Sequence, residues 1–86
     1  MNNDIIMNVG NQPLDKLMID RNWSNHDIVI ALPSGYITHK QIQKARKGRR
    51  LSIKVQQKIL LAVNNHDKSN SLKINDLFTY LGKKDL

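Results

Sequence analysis

Residues 37–62 read ITHKQIQKARKGRRLSIKVQQKILLA, and the reading of this stretch decides the fold. Thr38 offers a side-chain oxygen able to cap a helix, and Ile42 and Ala45 then fall on one side at helical spacing. Gly48 suits the left-handed position that follows a helix end. Ser52 caps again, and Val55, Ile59, Ala62 and Val63 keep the period of a further helix. The stretch predicts helices over 39–47 and 53–64, joined by a turn through Gly48-Arg49-Arg50.

The same region carries an unbalanced charge. Between Asp27 and Asp67 there is no acidic residue, yet Lys40, Lys44, Arg46, Lys47, Arg49, Arg50, Lys54 and Lys58 all lie there. The whole chain has 14 Lys and Arg against 7 acids, every one of them Asp, for a formal charge of +7. Cations without counter-charges repel one another and destabilise the compact state, so a polyanionic partner is expected to supply the missing charge.

Working outward, Pro13 suits a first helical turn, and Leu14, Leu17 and Met18 predict a helix over 13–21. Ser24 with Asp27 three residues on resembles a capping box, opening a helix over 25–32 that Pro33-Ser34-Gly35 ends. Residues 64–71 have the composition of a polar linker. Asn75 is expected to cap a fifth short helix with Leu77, Phe78 and Leu81, closed by Gly82. The expected architecture is all-α: a flexible arm over 1–12, a compact five-helix domain over 13–82 and a tail over 83–86.

Thr38, Ile42, Gly48, Ser52, Lys58-Ile59 and Ala62 together resemble the DNA-binding headpieces of the lac-repressor family and the wider lambda-repressor-like helix-turn-helix superfamily. The resemblance covers about half the chain and rests largely on caps and core positions. Three departures stand beside it. The turn before the 39–47 helix is about one residue longer than in the family, Gly48 to Ser52 is one shorter, and Arg46 stands where the lac-type pattern is apolar.

The resemblance implies that the helix over 38–47 enters a major groove. With Ile42 and Ala45 turned inward, His39, Lys40, Gln43 and Lys44 are the expected base contacts. Lys donates to guanine O6 and N7, and Gln suits the N7 and N6 edge of adenine. Tyr36, Thr38, Lys47, Arg49, Arg50, Ser52 and Lys54 are the expected phosphate contacts, with Gly48 allowing a close backbone approach. Tyr36 has a second possible role as a lid on the core. Trp23 is expected to pack between the first and fourth helices.

The functional expectation is a sequence-specific double-stranded DNA-binding transcriptional regulator. Two alternatives stay open: a nucleic-acid binder without sequence preference, and a protein-interaction module on a helix-turn-helix fold. Aromatics at 5% argue against single-strand stacking platforms. No nucleophile–base pair or phosphate-cradling loop is visible, so no enzymatic activity and no cofactor are expected. His26, His39 and His66 lack mutual helical spacing and cysteine partners, so no metal site is expected. The apolar runs are too short to span a bilayer, and Met1-Asn2-Asn3-Asp4 lacks the start of a secretory signal. A cytoplasmic location is expected. Leu77, Phe78 and Leu81 either close the core or form a homodimer patch.

Overall fold

Ser24, Thr38 and Ser52 each end an extended segment and begin a helix. In the computed structural model, which describes residues 10–68 and 71–80, α1 spans Pro13–Asp20, α2 Asn25–Val29, α3 His39–Lys47, α4 Ile53–Asp67 and α5 Ile74–Leu77. The fold is all-α, with no extended strand among the described residues. All three expected hydroxyl caps form. Ser24 and Asp27 close a reciprocal box, as do Thr38 and Gln41, while Ser52 accepts from the Val55 amide. These bonds satisfy amides that a helix start leaves without partners.

The core is built from one stripe of each helix. Leu14 and Met18 of α1 meet Ile42 and Ala45 of α3, and Ile28 of α2 meets Ile59, Ala62 and Val63 of α4 in one continuous cluster. Leu77 and Phe78 complete it and are 0% and 2% exposed. They therefore close this chain's own core and are not available as a homodimer patch. Leu81 lies outside the described residues.

Helix α2 stops at Val29 rather than continuing to Leu32. Pro33 explains the early end: a helical proline loses its own amide bond and collides with the carbonyl four residues back, here that of Val29. Ile30 is left 62% exposed. Helix α4, by contrast, runs through Asp67, into the polar residues read as linker. Tertiary contacts hold that last turn. Trp23 sits edge-on to His66 with ring centres 4.9 Å apart, Asp67 pairs with Arg21, and Asn65 donates to the Ala31 carbonyl at 3.4 Å. Asn64 both donates to the Leu72 carbonyl and accepts from its amide, each at 3.1 Å, so the returning chain is clasped to α4. Helix α5 begins one residue before Asn75, with Lys73 at the cap and the Asp76 carboxylate on its amide at 2.8 Å.

The expected arm over 1–12 also needs revision. Gln12 is 2% exposed. Its amide donates to the Arg46 carbonyl at 3.1 Å, and its side-chain oxygen accepts from the Thr79 amide at 2.7 Å. Gln12 is thus a strap joining the end of α3 to the segment after α5. The rest of the expected arm, residues 1–9, and the expected tail, 83–86, lie outside the described residues.

Candidate nucleic-acid interface

At 3.6 residues per turn, positions 39, 43, 47, 40 and 44 of α3 share an arc of about 140°. His39, Lys40, Gln43, Lys44 and Lys47 are all exposed on it, while Ile42 and Ala45 on the opposite side are fully buried. The four expected base contacts therefore lie together on one open face. Lys54 is exposed near the start of α4, where Ser52 is half-buried and engaged as the cap. Thr38 likewise serves as the cap of α3. Tyr36 is 51% exposed, so it does not lid the core. Its amide donates to the Pro33 carbonyl at 3.2 Å, closing the turn before α3.

Two of the expected phosphate contacts are less open. Arg50 lies over the Tyr80 ring, 5.7 Å from its centre, and Arg49 is half-buried. The Tyr80 hydroxyl donates to the Arg49 carbonyl at 2.9 Å and accepts from the Leu51 amide at 3.1 Å. Burial pushes the Tyr80 hydroxyl above its ordinary pKa of 10.0. Gly48 is also occupied. The place where its β-carbon would stand is filled by the Gly10 backbone, so the close approach it permits is to this chain's own N-terminal segment.

Arg46 is half-buried and engaged. Its Nε donates to Asp15 of α1 at 2.6 Å and its Nη1 to the Asn25 side-chain oxygen at 2.8 Å. A guanidinium here ties α3 to both α1 and α2, replacing the packing of an apolar side chain. One of the eight cations in the acid-free window is thus neutralised from outside it.

The carboxylates are engaged throughout the described residues. Asp15 pairs with Arg46, Asp20 with Lys16 at 3.1 Å, and Asp67 with Arg21. Asp27 and Asp76 cap the amides of Ser24 and Lys73. The Ser24 backbone amide, then its hydroxyl, hold the Asp27 carboxyl below its ordinary value. Lys40, Lys44, Lys47, Lys54 and Lys58, by contrast, have no carboxylate partner among the described residues. The negative groups are used internally and the lysines of α3 and α4 are left unmatched.

The fold adds two residues that spacing in the sequence did not reveal. Asn25 and His26, in the first turn of α2, border the open face of α3. Asn25 Nδ2 donates to Gln43 Oε1 at 3.1 Å, and His26 Nδ1 meets His39 Nε2 at 3.3 Å. The two imidazole rings are nearly parallel, at 12°, with centres 5.5 Å apart. That separation is close to the 3.3 Å contact plus one ring radius on each side. The nitrogens therefore point at each other along the line of centres, the geometry of a shared N–H···N bond. Lone pairs aimed head-on do not converge on a third point as metal ligands do. No group of three or more potential metal ligands occurs among the described residues.

Comparison of the chain with protein-family models, curated proteins and solved structures returns no match. No helix among the described residues is long and apolar enough to cross a membrane.

Proposed function

We propose that this protein is a sequence-specific double-stranded DNA-binding regulator that lays α3 in the major groove. The observation that carries the reading is the outward arc of α3, where three unmatched lysines stand beside His39 and Gln43. At about 1.5 Å per residue the helix is roughly 13 Å long. With a diameter of about 10–12 Å including side chains, it fits a groove about 12 Å wide. Lys40 and Lys44 donate to guanine edges, and Gln43 to an acceptor on a neighbouring base. Lys47, Lys54 and the first amides of α4 hold phosphates on either side. Thr38 and Ser52 act through the helix starts they cap.

The internal use of every described carboxylate favours this partner. A face of lysines with no neutralising acids attracts a polyanion along its length, whatever the sequence. The hydrogen-bonding groups between those lysines add discrimination. Selection of bound duplexes from a random pool tests the proposal. One consensus motif, with α3 substitutions altering it, is the expected result. Recovery of unselected sequence, with competitor DNA of any composition displacing the bound duplex equally, sinks it.

A further inference from the structure

Four side chains form a directed hydrogen-bond chain from a half-buried ion pair to the open face. Asp15 accepts from Arg46 Nε at 2.6 Å, and Arg46 Nη1 donates to Asn25 Oδ1 at 2.8 Å. Asn25 Nδ2 then donates to Gln43 Oε1 at 3.1 Å. The order admits no reversal. A guanidinium has donors only, so the Asn25 atom facing it must be the oxygen. The planar carboxamide then turns its NH2 group toward Gln43, where only an oxygen can accept. Each amide orientation is set by the charge behind it.

We infer that this relay makes α3 read a base edge bearing a hydrogen-bond acceptor and reject cytosine at the position facing Gln43. The inference rests on the DNA-reading proposal above and deepens it. With Oε1 held by Asn25, the Gln43 Nε2 group keeps both hydrogens for a ligand, and the side chain is exposed. In the major groove guanine presents O6 and N7, adenine N7 and thymine O4, all acceptors. Cytosine presents only its N4 amino donor there, so it would set donor against donor. Adenine is read through N7 alone, because Oε1 is turned to Asn25 and the outward group is the Nε2 donor. Asn25 is therefore a positioning residue that acts through Gln43.

The test is selection from a random duplex pool with the full 86-residue chain, its Asn25→Asp variant and its Gln43→Glu variant. The carboxylate that Asn25→Asp introduces would accept from both Arg46 and Gln43, turning the glutamine amide over so that Oε1 faces the base. An acid in the first turn of a helix is also well placed electrostatically, so this variant is expected to fold. Wild type is expected to deplete cytosine at one position of its motif. Asn25→Asp is expected to enrich cytosine or adenine there by about five- to tenfold, the worth of one hydrogen bond. Gln43→Glu, on an exposed side chain, should move the same position the same way without using the relay. A motif that neither variant changes overturns the inference while leaving DNA reading intact. A response to Gln43→Glu alone, with Asn25→Asp folded, also overturns it. A wild type that selects no motif overturns the proposed function and the relay's role with it.

Discussion

The guanidinium of Arg46 on α3 binds the carboxylate of Asp15 on α1 at 2.6 Å, with each side chain only 21% exposed. This bond anchors the helix bearing the open cationic face to the one behind it. Partly buried pairs cost more to break by one half than to remove whole, because the orphaned charge stays desolvated. Asp15→Ala is therefore expected to destabilise the fold by about 1–3 kcal/mol. Combined with Arg46→Met, the two losses should fall short of their sum by about 1–2 kcal/mol. Urea unfolding of the two single variants and the double completes the cycle. Strict additivity would show that the contact contributes no coupling.

Gly48 and Gly35 have nearly the same backbone, at φ +91° and +89°, but different surroundings. A β-carbon at Gly35 meets open space, whereas one at Gly48 runs into the Gly10 backbone. Gly35→Ala should cost about 1–2 kcal/mol, the strain of a left-handed alanine. Gly48→Ala should cost at least about 2 kcal/mol more, because the strap through Gln12 must move. Thermal melts of the two variants, side by side, separate strain from steric exclusion. Equal losses would show that the Gly10 contact is dispensable.

Tyr80 links the basic turn to the last described segment through the Arg49 carbonyl and the Leu51 amide. Tyr80→Phe is expected to cost about 1–2 kcal/mol, leaving both groups without that partner. The pH dependence has a defined sign. A folded-state pKa raised above 10.0 contributes stability that is present below that value and lost as pH rises through the folded one. Wild type should therefore lose stability above about pH 10 more steeply than Tyr80→Phe. Urea midpoints on both proteins across that range check it, and parallel curves would refute the assignment.

Asp27 acts at the acid end. Its folded pKa is depressed by bonds from the Ser24 amide and hydroxyl, so its contribution is present above 3.8 and lost as pH falls through the lower folded value. Asp27→Asn should flatten the acid limb of the stability curve below about pH 4. Thermal melts from neutral to acid pH measure this. An unchanged limb would remove Asp27 as its cause.

Phosphate contacts predict the salt response. If about five phosphates are neutralised, log K should fall with log salt at a slope near −4 to −5. Lys47→Ala and Lys54→Ala, which remove phosphate contacts, should each make the slope shallower by about one. Lys16→Ala should not, because Asp20 already matches that charge at 3.1 Å. Fluorescence anisotropy on a labelled duplex over a salt series supplies the slopes. Equal changes in all three variants would point to overall net charge, and away from this face.

Local signals were legible along the chain wherever one residue's chemistry suffices. Ser24, Thr38 and Ser52 start helices because a hydroxyl beside an exposed amide caps it in any tertiary setting, and α3 has its expected bounds of 39–47. The stripe of Ile42 and Ala45 likewise identified the buried side, and with it the open one. The helix ends were harder. Pro33 stops α2 at Val29 by a collision four residues back, while α4 outlasts its apolar period because Trp23, Arg21 and Ala31 hold its polar end.

What the sequence by itself determined was helical periodicity, the caps and the absence of acids beside eight cations, since these depend on neighbours in the chain. Only the tertiary structure decided which cations stay unmatched and which amide atom of Gln43 faces outward. Asp15 and Arg46 are 31 residues apart, and Asn25 and Gln43 are 18 apart. Hydrogen bonds and ion pairs act over a few ångströms of space, a distance that spacing along the chain does not encode.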